Sequence, residues 1–136
     1  MDQVFQCQAK LESLDDNGVY PVVHMFRQVG IAHHSHIVIL SRDARSALFN
    51  FGLFDDKGSA WIRSRPGLDE NWAKEVSGTY EPNPIAATKP QILAAFDVAT
   101  QACGGKYSML LNNCQKFARV FFTALGASHN RDMFRP

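Results

Sequence analysis

The first half of the chain is a series of short apolar segments separated by polar residues, and in the first segment apolar and polar residues alternate. A period of two is typical of β-strands, because successive side chains of a strand point to opposite faces of its sheet. Alternation predicts a strand at residues 4–11, and runs rich in apolar residues predict further strands at 19–26, 35–40, 47–54 and 60–62. Clusters of Asp, Asn and Gly at 15–18 and 55–58 indicate turns between strands. The first half of the chain is therefore predicted to form a sheet of short strands.

The second half of the chain changes to helical spacing, with predicted helices at residues 90–103 and 114–125. The segment between the last predicted strand and the first of these helices is rich in Gly, Pro, Glu and Asn. This composition predicts an irregular surface segment with one helical turn near 70–76. Trp72 and Tyr80 in this segment either line a cleft or close its edge.

The second predicted helix begins with a cysteine. Its apolar residues fall on one helix face, at Cys114, Phe117, Ala118, Phe121, Phe122 and Leu125. Asn112 and Asn113, directly before it, are good N-caps. A thiol in the first turn lies at the positive end of the helix dipole, which lowers its pKa and favours the thiolate that attacks carbonyl groups. The alternative is that Cys114 is only a packing residue, as buried free cysteines often are.

A nucleophilic thiol needs an imidazole within hydrogen-bond reach. Three of the five histidines lie at the start of the predicted strand 35–40, at His33, His34 and His36. Strand alternation predicts that His34 and His36 share one face, whereas His33 points away. An imidazole on a strand is held rigidly and exchanges protons near neutral pH, so the general base is expected here.

The residues around the cysteine and the histidines resemble those of one enzyme family. The permuted papain-fold peptidases called PPPDE, which include desumoylating isopeptidases, carry a strand His-Thr-x-Ile/Val-Val-Val that is similar to His34-Ser35-His36-Ile37-Val38-Ile39-Leu40. Their helix motif Tyr-x-Leu-x-x-x-Asn-Cys-x-x-Phe is similar to Tyr107-Ser108-Met109-Leu110-Leu111-Asn112-Asn113-Cys114-Gln115-Lys116-Phe117. Lecithin retinol acyltransferase-like and NlpC-type enzymes are wider relatives of the family. The resemblance implies that His34 is the base and Cys114 the nucleophile, and the order His before Cys marks the circular permutation.

The resemblance implies an α+β fold, the permuted papain-like cysteine hydrolase fold. A curved antiparallel sheet would pack against the two helices, with residues 1–136 as a single domain. The implied function is that of a thiol hydrolase, which cleaves a peptide or isopeptide amide bond through a Cys-His catalytic pair and a thioester intermediate. The Cys114 backbone N–H would bind the oxyanion. Asn113 or Gln115 would add a second donor, unless Gln115 is simply a solvated helix residue.

Three other functions stay open on the sequence alone. A bacterial toxin or effector amidase would act on cell-wall peptide or on a host protein. An acyltransferase or thioesterase acting on lipid substrates would follow the wider relatives of the family. A non-catalytic binding module would keep the fold and use its cleft for a partner, and its Cys114 would have an ordinary thiol pKa.

The predicted strand 47–54 departs from the family pattern. Phe51-Gly52 matches the family's Phe-Gly pair, but the further glycines are missing, so the walls of the substrate groove are expected to differ. Asn50 is an amide among apolar neighbours on a strand expected to pair with the strand of His34. In one interpretation it orients the His34 imidazole as the third member of a triad. In the other it lies on the solvent face of an alternating strand.

The same histidines and cysteine also allow a metal alternative. His34, His36 and Cys114 would supply three zinc ligands. No acidic residue lies nearby in sequence to act as a base, and a cysteine at a helix start fits a nucleophile better, so neither a metal nor a cofactor is predicted. The three cysteines contain no C-x-x-C pair and indicate no disulfide framework. Cys7 and Cys103 are expected to be structural.

Composition narrows the class of protein only slightly. The 136 residues are 46% hydrophobic and 20% charged with a formal net charge of +1, which fits one domain with its own core. No basic stripe favours nucleic acid, and no apolar run is long enough to span a membrane. The start of the chain does not resemble a signal peptide, which predicts a cytoplasmic protein or one exported by a route without such a signal. The expected partner is a protein or peptide substrate, with a ubiquitin-like conjugate and a cell-wall peptide as candidates.

Overall fold

The computed structural model describes residues 3–29, 32–66, 78–79, 84–108 and 112–126. Its elements follow in the order α1 (Gln3–Glu12), β1 (Val19–Val29), β2 (Ala32–Leu40), β3 (Ala47–Asp56), β4 (Ser59–Pro66), β5 (Gly78–Thr79), β6 (Ile85–Thr88), α2 (Lys89–Ala102) and α3 (Cys114–Ala124). The predicted α+β class is confirmed. The helical turn expected near 70–76 lies outside the described residues, as do Trp72 and Tyr80.

The described strands form one antiparallel sheet. Their order is β4-β3-β2-β1, and both β5 and β6 pair with the other edge of β1. The tight connection between β3 and β4 follows from its turn residues. Lys57 and Gly58 have positive φ angles of 54° and 91°, as two-residue hairpin turns require. The Asp55 carboxylate accepts a hydrogen bond from the Gly58 N–H at 2.7 Å, which fixes this turn.

Strand register divides the side chains of the sheet between two faces. On the face that packs against the helices, called the helix face, Ile37 of β2 lies opposite Phe51 of β3. Phe51 packs edge-on against Phe121 of α3, with 5.5 Å between the ring centroids. The opposite face, called the second face, carries the alternate residues of the same strands. It includes His34, His36 and Val38 from β2 and Asn50, Gly52 and Phe54 from β3.

The prediction of a first strand at residues 4–11 is wrong, because this segment forms α1. Its buried residues Cys7 and Leu11 are four apart, which places them on one side of a helix. Phe5, which alternation would place on the same face as Cys7, is 70% exposed. The expectation that Cys7 is structural agrees with its complete burial and with its hydrogen bond to Ser64 of β4.

The segment predicted to be irregular contains β5 and β6 near its end. β6 leads directly into α2 through a capping box. The Thr88 hydroxyl accepts a hydrogen bond from the Gln91 N–H at 3.4 Å, and the Gln91 side chain accepts one from the Thr88 N–H at 2.9 Å. α2 and α3 confirm the two predicted helices to within one residue at each end. In the described part of the chain, no helix has the length and apolarity to cross a membrane.

Candidate active site

α3 begins at Cys114 because Asn113 caps it. Asn113 has an extended backbone, with φ −134° and ψ −177°, and its side-chain oxygen accepts a hydrogen bond from a backbone N–H of the first turn at 2.9 Å. Asn112, the other predicted cap, has a different role. Its side-chain amide donates to the carbonyl oxygens of Cys103, at 3.0 Å, and Lys106, at 2.8 Å. The N-cap prediction is therefore confirmed for Asn113 and wrong for Asn112, which ties the end of α2 to the start of α3.

The Cys114 thiol is buried against β2. Cys114 is 5% exposed, and its Sγ accepts a hydrogen bond from the Ser35 N–H at 3.4 Å. The Tyr107 phenol also hydrogen-bonds to the sulfur. Burial raises the pKa of the Cys114 thiol, and the hydrogen bonds from Ser35 and Tyr107 lower it by less. The net direction is upward, opposite to the lowering expected from the helix start alone.

Tyr107 is a site residue to which the sequence analysis gave no role. Burial, together with the nearby Cys114, raises the pKa of the phenol to about 12, so it is protonated at neutral pH and donates to the sulfur. The Tyr107 N–H donates to the Gly58 carbonyl oxygen at 2.9 Å, and the Ala60 N–H donates to the Gly105 carbonyl oxygen at 2.7 Å. These two bonds fasten the loop before α3 to the β3–β4 turn. Periodicity carries no signal for such a residue, and only its place in the cysteine motif draws attention to it.

The two candidate imidazoles lie together on the second face. The ring centroids of His34 and His36 are 4.6 Å apart and the ring planes cross at 77°, which confirms that the two residues share a face. The Phe54 ring contacts both, with its centroid 4.6 Å from that of His34 and 5.5 Å from that of His36. His36 is 5% exposed, so it is a buried neighbour of His34. The side chain of His33 lies outside the part of the chain that the structure describes.

Cys114 and His34 approach each other at one peptide group of β2. The N–H that donates to Sγ belongs to the peptide group between His34 and Ser35. Standard bond lengths place the His34 Cα within about 3 Å of the Ser35 nitrogen and so within about 6 Å of Sγ. The same reasoning places the His36 Cα within about 8 Å of Sγ, a looser limit. Because backbone N–H groups point along the plane of a sheet, the sulfur reaches β2 at the boundary between the helix face and the second face.

Gly52 adjoins this part of β2. A Cβ at Gly52 would lie 3.0 Å from the Ser35 carbonyl oxygen and 3.9 Å from His36 Nδ1. The shorter of these distances is closer than side chains normally come to a backbone oxygen. Glycine therefore allows β3 to pass close to β2 beside the site, which gives a physical reason for the Phe51-Gly52 pair.

Asn50 lies on the second face, opposite Val38. It is 1% exposed, so the alternative of a solvent-facing Asn50 is wrong. His34 is four residues from Val38 along β2, a separation of about 13 Å, whereas His36 is a diagonal neighbour of Asn50. The register therefore places Asn50 closer to His36 than to His34. In the triad role expected for it, Asn50 would have to act on His34 through His36.

His24 is a buried imidazole that the sequence analysis did not single out. It is 1% exposed on the helix face, opposite Ile37, and its ring stacks on Phe122 at a centroid distance of 5.7 Å. Phe122 lies two helical turns after Cys114, about 12 Å along the axis, so His24 is poorly placed to take a proton from the thiol. Burial lowers the pKa of His24 to about 3, which keeps this imidazole neutral in the folded protein.

The buried His24 should make the protein less stable in mild acid. Its pKa is about 3 when folded and near 6.5 when unfolded, so the two states bind protons equally only well above pH 6.5, and stability falls progressively as the pH drops through 6.5 towards 3. Lowering the pH from 7.5 to 5.0 should reduce the free energy of unfolding by about 2 kcal/mol through this residue. Urea unfolding of the wild type and of His24→Leu at both pH values measures the effect. The prediction would be wrong if the free energy of unfolding fell equally in the two proteins between pH 7.5 and 5.0.

The described residues contain no group of three His, Cys, Asp or Glu side chains arranged to hold a metal ion. In comparisons with known proteins, no family model matches the chain, and no curated protein or solved structure is significantly similar to it. The proposed function therefore rests on the chemistry of the chain's own residues.

Proposed function

We propose that the chain is a thiol hydrolase that cleaves a peptide or isopeptide amide bond, with Cys114 as the nucleophile and His34 as the base. The observation that carries the proposal is the hydrogen bond from the His34–Ser35 peptide group to Sγ. It holds a thiol of a helix start against the strand that bears two adjoining imidazoles. The order of an antiparallel sheet followed by the cysteine helix also supports a permuted papain-like arrangement.

Burial determines how the thiol has to be activated. Because the pKa of Cys114 is raised, the thiol is protonated at neutral pH and needs a base at the moment of attack. In the proposed step its proton passes to the His34 imidazole, Sγ bonds to the substrate carbonyl carbon, and the carbonyl electron pair moves onto the oxygen. The Ser35 N–H and the Tyr107 phenol stabilise the sulfur as negative charge builds up on it.

The start of α3 and the imidazole complete the proposed cycle. The Cys114 N–H lies at the positive end of the α3 dipole, so we assign it as the donor to the oxyanion. Collapse of the tetrahedral intermediate breaks the C–N bond, and the His34 imidazolium gives its proton to the leaving amine. Water then attacks the thioester while His34 accepts its proton. Cleavage of the C–S bond releases the acid, and the sulfur recovers its proton from His34.

Selective alkylation of Cys114 tests the proposal without knowledge of the substrate. At pH 6, iodoacetamide should modify Cys114 about ten times faster than Cys7 or Cys103. Burial raises the pKa of all three thiols, that of Cys7 to about 12, but Cys114 has hydrogen bonds from Ser35 and Tyr107 and the proposed base His34 to favour its thiolate. Mass spectrometry of the three cysteine peptides over time measures the rates. Equal rates for all three would remove Cys114 from the role of nucleophile.

A non-catalytic binding module is the second candidate function. The observations that favour it are the 5% exposure of Cys114 and the upward direction of its thiol pKa, both of which also describe an inert packing cysteine. This candidate predicts that Cys114 is modified no faster than the other two cysteines. The alkylation experiment therefore distinguishes the two candidates directly.

A further inference from the structure

Arg63 of β4 lies in the same row of the second face as His36. Arg63 is opposite Gly52 in the strand register. Gly52 in turn borders His36, since a Cβ on this glycine would lie 3.9 Å from His36 Nδ1. Because glycine has no side chain, β3 contributes no side chain between Arg63 and His36 in this row.

The Arg63 guanidinium is held over an aromatic ring that also touches the imidazoles. Its Cζ lies 5.5 Å from the centroid of the Phe54 ring, a distance typical of a cation–π contact. The Phe54 centroid is 4.6 Å from that of His34, so the Arg63 charge is within about 10 Å of the proposed base. Arg63 is exposed to solvent. Stacking occupies one face of a guanidinium and leaves its N–H edges available for a bidentate pair with a carboxylate.

The described side chains of the second face carry more positive than negative charge. Arg27 of β1 lies opposite His34, and Arg63 lies beyond Phe54 on the other side. Asp56 is the acidic residue among these strand positions, and it is exposed at the end of β3. A substrate that approaches the imidazoles therefore comes within range of the exposed Arg63 guanidinium, which attracts anionic groups.

We infer that Arg63 is a specificity residue that selects acyl substrates with a carboxylate close to the scissile carbonyl. The inference rests on the proposed function, because it assigns a substrate class to the same site. The side chain of an aspartate or glutamate next to the scissile bond, or the terminal carboxylate of a short peptide, would supply this group. Its two oxygens would pair with the N–H edge of the guanidinium.

Two alkylating agents of nearly equal size test this inference. Iodoacetate carries a carboxylate and iodoacetamide carries a neutral amide, and both form a thioether with Cys114 and release iodide. The measured quantity is the ratio of the iodoacetate rate to the iodoacetamide rate at Cys114, at low ionic strength. Arg63→Gln should lower this ratio about three- to fivefold, the effect of removing one charge at this range in a partly solvated site. Salt at about 0.5 M should remove most of the difference by screening.

Two further variants separate the effect of the Arg63 charge from that of its planar geometry and from that of the overall protein charge. Arg63→Lys keeps the charge without the planar fork, so it should keep the attraction but lose the bidentate pair, and its ratio should lie between those of the wild type and Arg63→Gln. Arg45→Gln removes an exposed arginine from the loop after β2, at the far end of that strand from His34, and should leave the ratio unchanged. The iodoacetamide rate and the melting temperature of each variant serve as checks that the site and the fold are intact.

Each result has a definite meaning for Arg63. A fast reaction of Cys114 with both agents and an unchanged ratio in Arg63→Gln would overturn the inference and leave the proposed function in place. An equal fall of the ratio in Arg45→Gln would also overturn it, because the effect would then come from overall charge. No preferential reaction of Cys114 with either agent would overturn the proposed function and the substrate class together.

Discussion

Replacing Cys114 with alanine should abolish the hydrolysis of an activated ester while the protein stays folded. With p-nitrophenyl acetate, the wild type should release about one equivalent of p-nitrophenol in a burst as the thioester forms, followed by slower turnover. Cys114→Ala has no atom to carry the acetyl group, so the burst should disappear and the rate should fall by about three orders of magnitude or more. Stopped-flow absorbance measures the burst, and mass spectrometry of the quenched protein locates the acetyl group.

A matched change at another buried cysteine provides the control. Cys7 is fully buried on α1, against Ser64 of β4. Cys7→Ala should therefore leave a small cavity that lowers the melting temperature, but it should keep the burst. A burst of wild-type size in Cys114→Ala would show that another group accepts the acetyl. An acetyl group found on Cys7 or Cys103 in the wild type would lead to the same conclusion.

The second large effect is expected at His34. Changing His34 to alanine should lower turnover by about three orders of magnitude, as the loss of one member of a nucleophile–base unit usually does. The pH dependence of Cys114 alkylation should also change in this variant. With burial raising the pKa of the Cys114 thiol and the His34 imidazole removed, alkylation should require a pH at or above the pKa of a free thiol, about 8.5. Iodoacetamide rates from pH 5 to 10 measure this shift.

His36→Ala is the matched control for the His34 variant. His36 adjoins His34 on the second face, but its Cα is farther from the Cys114 sulfur, so the thiol pKa should change little in this variant. Both variants lose a ring beside Phe54, so a packing effect alone would affect them similarly. A strong rise of the thiol pKa in His36→Ala with none in His34→Ala would show that His36 is the base.

The spacing of apolar residues was enough to predict the elements in which the buried residues recur with the helical or strand period. The helix from Cys114 has its apolar residues on one face, and the structure buries Phe117, Phe121 and Phe122 there. At the N-terminus the same reasoning failed. Apolar residues at 5, 7, 9 and 11 fit a strand, whereas the pair Cys7 and Leu11 fits a helix, and only packing on β4 and α2 decides between the two.

The sequence predicted which residues form the candidate site, but not how strand pairing and burial change their surroundings. Strand alternation is a local rule, and it correctly placed His34 and His36 on one face. The position of Asn50 opposite Val38 depends on how two strands pair, which no single stretch of sequence specifies. The thiol pKa of Cys114 depends on burial by the whole fold, and this outweighs the local effect of the helix start.

The β3–β4 hairpin contacts both members of the proposed Cys114–His34 pair, His34 directly and Cys114 through Tyr107, although its tip has no proposed chemical role. Gly58 at the tip holds the backbone of Tyr107, whose phenol donates to the sulfur, and Phe54 near the tip covers the imidazoles. A small molecule that wedged this turn open would draw the phenol and the ring away from the site at the same time. A compound bound at this turn would then weaken the proposed Cys114–His34 chemistry without occupying the place of the substrate.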